Sequence, residues 1–223
     1  LLYREGEKDK ALERFEESAT LLTGSAAAVA YHILGVKAYR DYQAEIRTMF
    51  EAKSLGEPAR AEESRKKSLC FLDRARRYFE AAVASDDKIA ASYVNLANIY
   101  VEYFFMERRK VFTGGIVGET LERRRKEFYR KKREAMREYL HKAISNYEKA
   151  VSLDPTLKQA YLNLAILLDG YYEDTGEGCR RAIEYYQKYI QLVSDSKDAE
   201  KIRERVSILK RIYKRLSGKE KSS

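Results

Sequence analysis

Apolar side chains recur at spacings of three and four along almost the whole chain, the period of one face of an α-helix. Tyr31, Leu34, Gly35 and Ala38 form one such stripe, Ala75, Phe79 and Ala82 a second, and Tyr161, Leu164, Ala165 and Leu168 a third. Polar or glycine-containing breaks separate the stripes, and no run alternates with the period of two that a half-buried strand requires. The pattern predicts eight helices, at about 8–22, 25–55, 58–85, 87–112, 119–153, 157–172, 177–194 and 197–216. Composition points the same way. With 2 prolines and 11 glycines in 223 residues the chain lacks the turns of a β-sandwich, and 44% hydrophobic with 35% charged residues suits a core beneath a charged helical surface. The expected fold class is all-α.

The stripes are also in phase with one another. Tyr93-x-x-Leu96-Ala97-x-x-Tyr100 matches Tyr161-x-x-Leu164-Ala165-x-x-Leu168 and Tyr31-x-x-Leu34-Gly35-x-x-Ala38. A second pattern follows each time: Ala75-x3-Phe79-x2-Ala82, Ala143-x3-Tyr147-x2-Ala150 and Ala182-x3-Tyr186-x2-Tyr189. Gly6-x4-Ala11-x3-Phe15 is a further copy of the second pattern. Pro155 precedes Tyr161 by the same interval as Asp87 precedes Tyr93, with Asp154 expected to cap the following helix and Pro155 to sit at its first position. A small residue lets two helices approach closely, and a large aromatic then fills the space between neighbouring pairs.

These residues resemble the tetratricopeptide repeat, a pair of antiparallel helices per repeat of about 34 residues. The resemblance covers roughly half of the residues and implies a right-handed α-α superhelix in which each hairpin buries its open face on the next. It divides 1–223 into a half repeat (1–24), a repeat with an extended hairpin (25–86), a repeat with an extended basic hairpin (87–155), a repeat of ordinary length (156–195), a capping helix (196–217) and a disordered tail (218–223).

Two of the repeats are too long. The family pattern places about 16 residues between the helix-A aromatic and the helix-B alanine; the intervals Tyr31–Ala75 and Tyr93–Ala143 are far longer, whereas Tyr161–Ala182 is near it. Both insertions keep helical periodicity. In the first, Tyr42, Ile46, Met49 and Phe50 run outward, Ser54-Leu55-Gly56-Glu57-Pro58 turns, and Leu69, Leu72 and Ala75 return. In the second, Val101, Phe104, Phe105 and Phe112 lead out, 113–118 turns, and Leu121, Phe128, Ala135 and Tyr139 come back. Each is expected to lengthen a hairpin by roughly four turns, ~20 Å, giving two coiled-coil-like arms side by side.

Charge adds a second candidate surface. The chain carries a formal net charge of +9, concentrated in 108–137 and 197–221. Arg108, Arg109, Lys110, Arg123, Arg124, Arg125, Lys126, Arg130, Lys131, Lys132 and Arg133 gather on the second arm. They read either as a solvated face supported by four-apart pairs or as an electropositive tip for an anionic lipid surface or nucleic acid. The aromatics follow core spacing, unlike a base-stacking platform.

By carry-over of register from the family, the concave face would be lined by Val29, His32, Val36, Tyr39, Ala91, Val94, Asn95, Asn98, Gln159, Leu162, Asn163 and Ile166. The binding residues it implies are His32, Tyr39, Val94, Asn95, Asn98, Gln159, Leu162 and Asn163. Asn95 and Asn163 stand where an amide either holds a ligand backbone or ties two helices together. The basic clamp that some members use on C-terminal carboxylates is missing, since His32, Val36 and Gln159 take its positions.

Catalytic patterns fail. Thr113–Thr120 lacks the lysine of a phosphate loop and follows no strand. His32 and His141 have no placed acid or nucleophile, and Cys70 and Cys179 fall on different hairpins. The reading is a non-enzyme without metal or cofactor that binds a protein or peptide partner, with homo-oligomerisation, anionic lipid and nucleic acid as further possibilities. The chain opens Leu1-Leu2-Tyr3 inside a repeat, which suggests lost upstream sequence and leaves the compartment open, with the cytoplasm favoured over a periplasmic or membrane-associated place.

Overall fold

The computed structural model describes residues 5–113, 120–172, 176–193 and 197–220, with the side chains of 5–9, 11–12, 110–113, 120–129, 132, 172, 197 and 218–220 outside the description. All regular structure among the described residues is helical: α1 (Glu5–Thr20), α2 (Gly24–Ser54), α3 (Pro58–Ser85), α4 (Ala90–Thr113), α5 (Thr120–Leu153), α6 (Lys158–Tyr172), α7 (Gly176–Val193) and α8 (Lys197–Glu220). The all-α expectation holds. The chain divides into two compact units, 1–99 and 100–223, the division falling within α4.

In the first unit α2 and α3 form one long antiparallel hairpin. Ala61, Ser64, Ser68, Leu72, Ala75, Phe79 and Ala82 recur at three- and four-residue steps along α3 and are buried, which is the seam spacing of a coiled coil. Opposite them α2 buries Ala27, Ala28, Ala30, Leu34, Gly35, Ala38, Tyr42, Met49 and Ala52. Most of these side chains are small, so the two backbones lie close. Gly35 and the fully buried ring of Phe79 are in direct contact, and His32 meets the same ring edge-on with centroids 5.6 Å apart.

The elongation continues to the tip, where Met49, Ala52 and Ala61 form a small core with Ile46 against it. The outward stripe differs from expectation in two places: Phe50 is 57% exposed and Leu69 37% exposed, because the seam runs through Met49/Ala52 and Ser68/Leu72. At the turn, Gly56 has φ +72, the left-handed region that costs glycine little, and Pro58 opens α3 at a position whose N–H would have no helical partner. In α1, Phe15 is 38% exposed, so this copy of the second pattern does not bury its aromatic as Phe79 does.

The second unit repeats the scheme with other side chains. Ala143, Tyr147 and Ala150 of α5, Leu164, Ala165 and Leu168 of α6, and Cys179, Ala182 and Tyr186 of α7 are buried. Tyr147 and Tyr186 fill the places that Phe79 fills in the first unit, and each hydroxyl finds a polar partner on α6, as a buried tyrosine requires. Ala199, Val206 and Leu209 then lay α8 over α7. One carboxylate fastens this end. Asp169 of α6, 7% exposed, accepts Nε of Arg205 on α8 at 2.8 Å and a second guanidinium N–H at 2.5 Å, as well as the hydroxyl of Tyr186 on α7 at 3.0 Å. Glu148 of α5 likewise accepts from Arg181 and, at 2.7 Å, from Tyr185 of α7.

Several boundaries differ from expectation by one to four residues, and three of them have a visible local setting. Before α4, the N–H of Lys88 donates to the side chain of Asp86 at 3.0 Å, so a turn occupies 86–89 and the helix begins at Ala90 rather than 87. Before α6, the N–H and hydroxyl of Thr156 both donate to Asp154, at 2.9 and 2.6 Å. Asp154 therefore caps a turn that contains Pro155, and α6 starts only at Lys158. At the other end α8 continues to Glu220, past its expected stop at 216 and into the stretch read as tail, with the hydroxyl of Ser217 bonded back to the carbonyl of Tyr213.

Candidate functional site

The face argued from sequence is built in the first unit on α2 and the opening turns of α4. His32 Nδ1 and the hydroxyl of the fully buried Ser92 are 2.8 Å apart, a bond that brings α2 alongside the start of α4. Half-burial lowers the pKa of His32, so the imidazole is neutral at pH 7. Val29, three positions before His32, and Ile33, the next residue after it, stand 52% and 51% exposed, although both are aliphatic. Val36, Tyr39, Val94, Asn95 and Asn98 are half-buried, and Ala91 is exposed. Tyr39 stacks on Tyr42 at 5.6 Å. Register alone did not select Ile33; its exposure in a helix otherwise packed on α3 is the signal that adds it. His32 itself reads as a packing and positioning group.

In the second unit the corresponding face is more polar and more committed. Gln159 donates to the side-chain oxygen of Asn163 at 3.0 Å, and Asn163 donates to the hydroxyl of Tyr147 at 2.9 Å. Of the two roles open to this asparagine, tying α6 to α5 is the one made here. Leu162 is half-buried beside it, and Ile166 is 50% exposed.

On the second arm, Arg108, Arg109, Arg130, Lys131 and Arg133 are exposed. Arg108 is engaged, donating to the hydroxyl of Tyr171 at 2.9 Å with its guanidinium 5.5 Å from that ring's centroid. Arg130 pairs with Glu134 at 2.9 Å on the same helix. The side chains of Lys110, Arg123, Arg124, Arg125, Lys126 and Lys132, and the turn 114–119, lie outside the described residues.

Among the described residues no three His, Cys, Asp or Glu side chains are grouped to hold a metal ion, and no helix is long and apolar enough to cross a membrane. Cys70 is exposed on α3 and Cys179 is buried on α7.

No protein-family model and no curated protein matches the chain. Among solved structures it is similar to the crystal structure of MamA protein, with 14% identity over 82% of this chain and 94% of that one and a TM-score of 0.37. It is similar also to two monomeric mutants of IFIT1, one with Gppp-AAAA and one with m7Gppp-AAAA, each 16% identical over 86% of this chain with a TM-score of 0.42. The chain spans about half the length of the IFIT1 chains, 48%. By its own helices, the chain is an all-helical protein of repeated antiparallel hairpins.

Proposed function

We propose that this is a non-catalytic interaction scaffold of the tetratricopeptide kind, holding a segment of a partner protein on the α2/α4 face of the first unit. The observation that carries the reading is the pair Val29 and Ile33, half-exposed aliphatics one turn apart on a helix whose other side is closely packed. An apolar contact of this type binds by removing surface from water, and the neighbouring Asn95 amide can replace the water a peptide group loses. His32, anchored to Ser92, fixes the spacing between the two helices.

The test is selection of binding peptides from a displayed random library, followed by titration of the selected peptides against wild type and Val29→Asp/Ile33→Asp. Peptides whose binding persists at ~0.5 M NaCl and falls at least about tenfold in the double variant support the reading. It fails if no selected peptide depends on this face.

A second reading, docking of residues 108–137 on an anionic membrane or nucleic acid, draws on the exposed Arg109, Lys131 and Arg133. It requires affinity that falls steeply with salt. The two readings therefore separate in the same titration, with anionic vesicles and single-stranded RNA as the added ligands.

A further inference from the structure

We propose that the outer side of α8 is a second docking surface, one that takes an acidic amphipathic helix from a partner protein. The helix differs from α3 in how its charges are balanced. Along α3, arginines and lysines pair with acids three or four positions away: Arg60 with Glu57, Arg65 with Glu62, Lys67 with Glu63, and Arg76 with both Asp73 and Glu80. From Arg205 to Lys219, α8 contains no acid at all. Arg205 turns inward to Asp169. Lys210, Arg211, Lys214 and Arg215 are all exposed, and none has an acidic partner among the described residues.

Arg211, Lys214 and Arg215 border an apolar floor, and Lys210 stands on the α7 side of the helix. Ile208, 38% exposed, and the half-buried Ile212 line a shallow cavity of about 670 Å³ together with Arg211, Lys214 and Arg215. On the α7 side of the same helix a second cavity, about 540 Å³, has Ile190 and Val206 in its lining beside Gln191 and Lys210. Lys210 and Lys214, like Arg211 and Arg215, are one turn apart, ~6 Å along the axis. A helix carrying carboxylates at the same four-residue interval presents them at the same pitch, and an aliphatic residue between them would cover Ile208 and Ile212.

Three other occupants fit less well. A nucleic-acid strand would meet the cations but leave the isoleucine floor uncovered, and it would lack a free ring to stack on, since Tyr213 is half-buried. A membrane surface needs apolar side chains to insert, whereas Val206 and Leu209 are buried where α8 lies over α7. A matching acidic stripe from this same chain is also a poor fit. Among the described residues several acids are taken by their own helices, as in Asp41 with Lys37 and Glu177 and Glu184 with Arg180, and on α1 the exposed Glu13 and Glu17 alternate with Lys10 and Arg14. The complement to α8 is therefore assigned to a different protein.

The experiment uses the full chain and three fluorescein-labelled probes: a helix-forming peptide with a Glu stripe beside a Leu stripe, the same composition scrambled, and single-stranded RNA. Anisotropy titrations are run at low salt and at ~0.5 M NaCl. The striped peptide is expected to bind at least about tenfold more tightly than either other probe. Lys210→Glu/Lys214→Glu should weaken it by at least about tenfold, and Ile208→Ser severalfold. Arg211→Gln/Arg215→Gln, which introduces no new charge, should give a smaller loss in the same direction. Far-ultraviolet circular dichroism checks that each variant keeps its helix content. Equal binding of the scrambled peptide or RNA, an unaffected Lys210→Glu/Lys214→Glu variant, or absence of binding by the striped peptide overturns the proposal. So does concentration-dependent self-association that the same double variant abolishes. Substitution of Val29 and Ile33 should leave this binding unchanged, which keeps it separate from the α2/α4 face.

Discussion

A methyl group on Gly35 would stand 2.8 Å from Cε1 of Phe79, closer than carbon atoms pack. The ring cannot easily retreat, because it is fully buried and meets His32 on its edge. Alanine is intrinsically better than glycine in a helix by about 1 kcal/mol, so two effects oppose each other. With the nearest atoms part of an enclosed ring, the overlap is expected to win, and Gly35→Ala should destabilise the protein by about 1–2 kcal/mol in urea unfolding. Phe79→Leu in the Gly35→Ala background should cost less than in the wild type; an additive pair would mean that the contact does not set the packing.

Asp169 joins three helices through Arg205 and Tyr186. Asp169→Ala would leave a guanidinium and a tyrosine hydroxyl beside an emptied buried site. The arginine side chain is 38% exposed, so water can take part of its charge. The expected loss is about 2–3 kcal/mol, below the full cost of breaking a wholly buried pair. Hydrogen exchange should show the loosening first in α8. Arg205→Met, which keeps the stem but removes the charge, should also destabilise, though by stranding the carboxylate instead.

His32 gives the first unit a pH dependence of defined sign. Burial lowers its folded-state pKa below 6.5, the value it takes in the unfolded chain. As pH falls past 6.5 the unfolded state takes up the proton first, so stability decreases with acidification, the slope ending once the folded-state pKa is passed. The carboxylates held low by partners, such as Glu62 beside Arg65 and Asp86 beside Ser25, act in a lower window, beneath 4.5 and 3.8. His32→Gln should therefore remove the pH dependence of the urea midpoint that sets in as pH falls below 6.5, above the carboxylate window, while leaving the acid limb. A midpoint that falls equally in both proteins just below pH 6.5 would contradict this.

The first arm should be as firm as the hairpin it extends. Met49, Ala52 and Ala61 are buried at its tip, and Ala52 and Ala61 leave little space between the helices. Ala52→Leu is expected to cost about 1–3 kcal/mol by overpacking. In native-state hydrogen exchange, amides of 46–52 should be protected to an extent comparable with those of 72–82. Rapid exchange confined to the tip would show a loosely held extension.

Much of this architecture was legible because it depends on period and size. Tyr31, Gly35, Ala75 and Phe79 repeat a spacing that only stacked helical hairpins satisfy together, and the Ser54–Pro58 break carries its own turn chemistry. What escaped were choices made by side-chain polarity at a single position. Asp86 and Asp154 each form a local turn that delays the next helix by three residues or fewer, a competition that helical periodicity cannot register. Asp169 follows Leu168 on an otherwise apolar face, and Arg205 sits amid Ile202, Val206 and Leu209; each is an anomaly in its own helix, but pairing them required the fold. The candidate face was reached by register at Val29 and Val94, while Ile33 and the Gln159–Asn163–Tyr147 chain depend on which way each side chain turns.

The fastening of Arg205 to Asp169 has a bearing on the opposite side of the same helix. A free basic peptide would have to freeze its backbone before presenting Lys210 and Lys214 in line, whereas here that ordering is completed during folding. The outward ammonium groups are thus spread on an inflexible ruler, gauged from beneath by one hidden carboxylate. Whatever reads the ruler meets little entropic resistance from it.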